Sequence, residues 1–194
     1  MSNLNIKYHK LDTGYLTFTF PYHSFLKDHI LQRIEKQEAD NLTNTDAYYS
    51  DNIDRLDWKN GTKWDREWVV LLKPYLEYVL GNAVSKYGFS EIFPVEAIWF
   101  QQYNHTNTHG WHIHGDNFSC VYYLELPKTA PVTQLLDLGG QNVVLPDVVE
   151  GDILVFPSTV IHRAPILQNN DRKTIISCNF SVKTISQNLL DTYT

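Results

Sequence analysis

The chain has 194 residues, 43% of them hydrophobic and 13% aromatic, which suits one domain with a substantial core rich in strands. Sixteen basic residues against 22 acidic ones give a net charge of −6, which argues against a nucleic-acid surface, since phosphate binding needs a basic footprint, without excluding a local groove.

Tyr15 to Phe20 alternates, with Leu16, Phe18 and Phe20 on one side and Thr17 and Thr19 on the other, which predicts a strand ended by Pro21. From His23 to Ala39, Leu26, Ile30 and Ile34 recur at helical spacing. Asn41 to Gly61 is polar and turn-rich and reads as a long loop, a candidate for mobility. Trp64 to Tyr87 reads as a helix that breaks or restarts at Pro74. Its stripe is Trp64, Trp68, Leu71 and Leu72, then Leu76, Val79, Leu80, Ala83 and Val84, with Gly88 as a C-terminal cap. These helices are expected to pack as a layer against a sheet.

From Pro94 onward the texture changes to short strands and turns. The predicted strands are Val95–Tyr103, Trp111–His114, Ser119–Leu126, Val132–Leu138, Val143–Leu145, Asp152–Phe156, His162–Pro165 and Lys173–Lys183. Such a series predicts a jelly roll, or double-stranded β-helix. The expected fold is therefore mainly β with flanking helices, a single domain over residues 1–194. Residues 1–93 would support a jelly-roll core at 94–194. Cys120 and Cys178 each sit in an apolar run and are expected as reduced core thiols. Without a Cys-x-x-Cys, no structural zinc site is expected. The N-terminus lacks a signal-peptide core and no apolar run reaches membrane-spanning length, which predicts a soluble cytoplasmic protein.

The chemistry concentrates in four histidines within ten residues: His105, His109, His112 and His114. His112 and His114, two apart, share one strand face, while Trp111 and Ile113 take the other. His114-Gly-Asp116 is the competing pair, spelling the His-x-Asp of a facial triad. Gly115, Asp116 and Asn117 are turn formers, which favours His112 with His114. His105 and His109 are expected in the connecting loop near the pocket mouth. His162, delivered by the bend after GDILVFPSTV, is the third metal-ligand candidate. Arg172 and Thr174 share a face of the last strand, and a guanidinium beside a hydroxyl suits a carboxylate. Tyr103 and Tyr123, on strands flanking the His-x-His hairpin, could donate to the same group.

The segments WHIH followed by FSCVYYLELP, then EGDILVFPSTVIHRAP, then DRKTIISCNF resemble the Fe(II)/2-oxoglutarate-dependent oxygenase superfamily. Within it they resemble the prolyl-4-hydroxylase-like branch, including a small bacterial and phage group that carries His-x-His. The resemblance covers about the last half of the chain. It implies His112 and His162 as metal ligands, with His114 where most members have Asp or Glu. It implies Arg172 as the grip on the 2-oxoglutarate C5 carboxylate, with Tyr103 and Tyr123 assisting. It further implies Fe(II), 2-oxoglutarate and O2, with hydroxylation of a small-molecule or peptidyl substrate and decarboxylation to succinate. Two other readings stand beside it. One is a cupin-like metalloenzyme that does not use 2-oxoglutarate. Its second motif nearly fits GDILVFPSTVIH, but Thr159 replaces a glycine and no glutamate follows His-x-His until Glu125. The other is a catalytically silent jelly-roll binding module. An iron titration with and without 2-oxoglutarate separates them, because a charge-transfer band that needs both belongs to the oxygenase.

Overall fold

The computed structural model of the chain describes residues 13–45 and 50–191. Two antiparallel sheets face one another, and two helices cover the outer face of the larger one. The larger sheet has the order β1-β10-β7-β12-β5-β3-β2. Its strands are β1 (Leu16–Thr19), β2 (Asp40–Thr45), β3 (Ser50–Leu56), β5 (Ala97–Tyr103), β7 (Phe118–Glu125), β10 (Asp152–Pro157) and β12 (Lys173–Phe180). The smaller has the order β6-β11-β8-β9, built from β6 (His109–His112), β8 (Gln134–Asp137), β9 (Asn142–Val144) and β11 (His162–Ala164). β4 (Phe89–Ile92) and β13 (Val182–Ile185) form a separate pair. This is the expected double-stranded β-helix, and the cysteines, Cys120 directly opposite Cys178, are free. No helix among the described residues is long and apolar enough to cross a membrane.

The central strands are buried on both faces, so their side chains divide between two cores. Cys120, Tyr122, Leu124, Ile153, Val155, Ile176, Cys178 and Phe180 face the helices, where they meet Leu26, Ile30 and Ile34 of α1 (His23–Lys36). The same core takes Trp68, Leu72, Leu76 and Leu80 of α2 (Glu67–Ala83). Each such aliphatic side chain contributes roughly 1.5–3 kcal/mol relative to exposure. Val121, Tyr123, Leu154, Phe156 and Ile175 face the opposite way, between the sheets. One polar node ties the helical layer to the sheet. The Asp57 carboxylate is fully buried and accepts from Arg66 Nη1, Gln37 Nε2 (2.7 Å), Trp68 Nε1 (3.3 Å) and the Phe100 amide (2.8 Å). Arg66 in turn donates to the Ile98 carbonyl at 2.7 Å.

Four expectations are corrected. The stretch Asn41–Gly61 is not a long loop. It holds the β2–β3 hairpin and a 3-10 turn at Trp58–Asn60, because Ile53 and Leu56 are buried between the sheets and β3 pairs with β5. Helix α2 runs through Pro74 without a break. Pro74 and Val70 both lie on the exposed side, so water can reach the Val70 carbonyl that proline leaves without a donor. Trp64 precedes that helix and is 40% exposed, under Lys73, rather than part of its buried stripe. The long last strand ends at Phe180, and its continuation leaves the sheet to pair with β4. Gly88 does cap the helical segment, with φ +82°, a left-handed conformation that suits glycine.

Asp57→Ala removes the carboxylate paired with the buried Arg66 guanidinium. It is expected to destabilise the fold by about 3–5 kcal/mol, read by urea unfolding. A loss below 1 kcal/mol would show that the node is not structural.

Candidate metal centre and its cavity

His112 closes β6 and His162 opens β11, and the two residues are register partners across the small sheet. His114 lies two residues beyond the end of β6, where its amide donates to the Ser158 carbonyl at 3.0 Å. The strand predicted at Trp111–His114 is thus shifted to His109–His112, yet the three imidazoles still converge. Their ring centroids are 4.2 Å (His112–His162), 5.0 Å (His112–His114) and 5.2 Å (His114–His162) apart. One nitrogen of each lies within 4.8 Å of the others. His112 Nδ1 donates to the Gly110 carbonyl at 2.7 Å and His162 Nδ1 to the Val160 carbonyl at 2.9 Å. Those bonds select the tautomer that leaves Nε2 free as a ligand.

Burial keeps the imidazoles uncharged. Burial and the neighbouring imidazoles push His162 down to about 3 and His114 to about 4. His112 is also lowered by burial, partly opposed by the Gly110 bond and by Asp51. Neutral imidazole is the form that binds metals such as Fe, Zn, Cu and Ni, so the donor set fits a divalent transition metal. Asp116 is not in this cluster. It sits in the turn after His114 and hydrogen-bonds the Glu96 carboxyl, a like-charge contact that pushes Glu96 up.

The other expected residues separate into two groups. Tyr103 and Tyr123 are buried on the histidine side of the large sheet. Tyr103 Oη has no hydrogen-bond partner among the described residues, while Tyr123 Oη accepts from the Thr133 amide at 3.2 Å. Burial pushes both phenols up, Tyr123 to about 12. Arg172 and Thr174 face the other way. Arg172 grips Glu125 with two bonds (2.9 and 2.8 Å) and Glu35 of α1 with a third (2.5 Å), and Thr174 Oγ1 also donates to Glu125. The phase of β12 is the reason. Lys173, Ile175, Ser177 and Asn179 alternate with the residues that face the helices, so the carboxylate-seeking side chain on the cavity side is Lys173. It is 1% exposed, opposite Tyr103 in register, with Nζ 4.8 Å from that ring's centroid. Its Nζ donates to the Pro131 carbonyl at 2.9 Å, and no carboxylate among the described residues lies within ion-pair distance. Burial pushes it down to about 7. His105 lies in the exposed turn after β5, as expected, but His109 begins β6 and stacks on His112 with centroids 3.9 Å apart. The histidines, Tyr103, Thr133, Phe156 and Ile175 line one cavity.

No family model and no curated protein matches the sequence. Solved structures do resemble it. A prolyl-4-hydroxylase from Pseudomonas putida superposes with a TM-score of 0.59 at 14% identity, over 87% of this chain and 92% of that one. A prolyl hydroxylase from Trichoplax adhaerens, in complex with a hypoxia-inducible-factor degradation-domain peptide, gives 0.61 at 14% identity over 94% and 88%. A non-haem α-ketoglutarate-dependent carbocyclase of nogalamycin biosynthesis gives 0.61 at 12% identity over 94% and 87%. The chain therefore has the fold of prolyl-hydroxylase-like 2-oxoglutarate oxygenases.

Two outcomes are expected. His114→Ala should lose stoichiometric Fe(II) binding while Asp116→Asn keeps it, measured by anaerobic titration. The reverse ranking would make Asp116 the ligand. For the metal-free protein, the folded histidines titrate below the unfolded value of 6.5, so the unfolded chain binds more protons below that pH. At pH 5 unfolding takes up about two protons at His114 and His162. Stability should be level on their account above pH 6.5 and fall steadily as the pH drops towards 4. A double His114→Ala, His162→Ala variant should lose most of that slope in urea unfolding.

Proposed function

We propose that this protein is an Fe(II)- and 2-oxoglutarate-dependent dioxygenase that hydroxylates a small-molecule or peptidyl substrate. The observation that carries the reading is a fully buried Lys173 with no acid partner among the described residues, beside a buried Tyr103 hydroxyl with no hydrogen-bond partner among them. Both stand on the side of the sheet that carries the histidine cavity. A dicarboxylate with a metal-chelating 2-oxo acid at one end answers both needs at once. When bound, Fe(II), 2-oxoglutarate and O2 supply the oxidative decarboxylation to succinate and CO2 and the oxidation of the substrate.

In this reading His112, His114 and His162 hold the iron. Lys173 pairs with the C5 carboxylate of 2-oxoglutarate, and Tyr103 donates its hydroxyl proton to the same group. Tyr123 completes that wall with its Thr133 bond. Val121, Phe156 and Ile175 keep it dry, which strengthens the ion pair. Arg172, assigned to this grip from sequence, instead fastens the start of β12 to Glu125 and α1. The peptide held by the Trichoplax neighbour supports a peptidyl substrate, and the carbocyclase of nogalamycin biosynthesis supports a small-molecule one.

Lys173→Met is expected to weaken 2-oxoglutarate binding by about 2–5 kcal/mol. Iron affinity should change little, and thermal stability should hold or rise, because an apolar side chain replaces a buried charge. Arg172→Leu should leave 2-oxoglutarate binding near the parent value. If the iron-loaded parent binds no 2-oxoglutarate and forms no succinate, the cupin-like or binding-module reading replaces this one. Binding should also be linked to protons. Free Lys173 is partly deprotonated at pH 7 and a bound carboxylate restores its charge. Affinity should therefore decline above pH 7, and calorimetry in buffers of different ionisation enthalpy should detect net proton uptake.

A further inference from the structure

His109 is the fourth histidine of the cavity, and its surroundings give it a defined place. Its ring lies nearly parallel to His112, with centroids 3.9 Å apart and 23° between planes. The Gln101 amide donates to His109 Nδ1 at 3.2 Å, and Gln101 Oε1 accepts from Ser177 Oγ at 3.4 Å, which orients that amide. Nε2 of His109, on the other side of the ring, lies 3.7 Å from Asp51 Oδ1. The same Asp51 oxygen accepts the Gly110 amide at 2.9 Å, and the Gly110 carbonyl holds His112 Nδ1. Asp51 itself lies on β3, which is bridged to the chain entering β6 by paired Asn52–Thr108 backbone bonds of 2.9 and 2.8 Å.

We infer that His109 and Asp51 are positioning residues for His112, fixing its ring plane and tautomer from the β2–β3 hairpin. Two contacts converge on that imidazole: the face-to-face stack from His109 and the Gly110 carbonyl, whose residue Asp51 anchors. His109 does not join the cluster of three converging nitrogens, so its part is to hold a ligand rather than to be one. Asp51 also sets a carboxylate beside a ligand set that has none. The inference rests on the metal reading of His112, His114 and His162.

The test is anaerobic Co(II) titration of the parent and of four variants, read by the cobalt d–d spectrum and by affinity, with circular dichroism to report folding. Outer groups that orient metal histidines are typically worth about 10–100-fold in metal affinity. His109→Ala and Asp51→Ala are expected to fall in that range and to change the d–d bands with the fold intact. His109→Phe keeps the stacked ring and should recover most of the affinity and the parent spectrum. Asp51→Asn keeps an acceptor for the Gly110 amide but loses the charge, and should fall between parent and Asp51→Ala. Parent-like spectra and affinities for both alanine variants would overturn this inference and leave the metal centre standing. Failure of the phenylalanine variant to rescue would overturn the stacking role. A parent that binds no Co(II) would overturn the metal reading and this inference together.

Discussion

Strand β12 lies at the centre of the seven-stranded sheet, and the alternation of its side chains divides the molecule into two chemistries. One set meets the helices. Ile176, Cys178 and Phe180 pack there, and Thr174 joins Arg172, Glu125, Glu35 and Gln102 in a polar network that anchors α1. The other set, Lys173, Ile175, Ser177 and Asn179, faces the space between the sheets. A strand period of two leaves no freedom here, because shifting β12 by one residue would exchange every side chain between the core and the cavity. The buried Asp57–Arg66 node supports this arrangement from outside. It fixes β5, the neighbour of β12, to the start of α2 through Phe100 and Ile98.

The metal centre follows from the second sheet in the same way. Pairing of β11 with β6 sets His162 opposite His112, and the Ser158 carbonyl holds the chain beyond β6 so that His114 comes round to meet them. Three imidazoles bring no negative charge to a divalent ion. A dianionic oxo acid chelating that ion would supply it, while its far carboxylate meets Lys173. In the proposed reading, a single ligand with anionic groups at both ends would answer both the neutral ligand set and the buried Lys173, which has no acid partner among the described residues.

His-x-His, the third histidine and the succession of short strands were all legible in the sequence, because they rest on local spacing and turn chemistry. The phase of β12 was not. Ser177 and Asn179 alternate with Ile176, Cys178 and Phe180, but Thr174 and Ile175 reverse that pattern at the start of a strand buried throughout, so only the sheet tells the adjacent cations Arg172 and Lys173 apart. The β2–β3 hairpin was hidden for a related reason. Asp51 and Asp54 look like loop residues, yet Asp51 accepts the Gly110 amide and Asp54 takes the Asn104 and Asn107 amides. Helix α2 shows the limit of a propensity rule, since Pro74 is tolerated where its orphaned carbonyl meets water.

Lys173 also weighs against the two competing readings. Burial lowers it from 10.5 to about 7, so keeping it charged costs about 5 kcal/mol in the absence of a ligand. A silent binding module or a cupin-like enzyme with no oxo acid would gain stability from methionine or leucine at this position. The cost is understandable where an anion arrives to offset it. The Tyr103 hydroxyl argues the same way, since an unpaired buried donor costs about 1–3 kcal/mol that phenylalanine would avoid. Both groups are register partners on β12 and β5, and Lys173 Nζ lies over the ring of Tyr103, which lines the histidine cavity. Lys173 gives one proton to the Pro131 carbonyl and Tyr103 has no acceptor among the described residues, so the pair suits an anionic ligand on the histidine side of the sheet better than it suits an apolar wall.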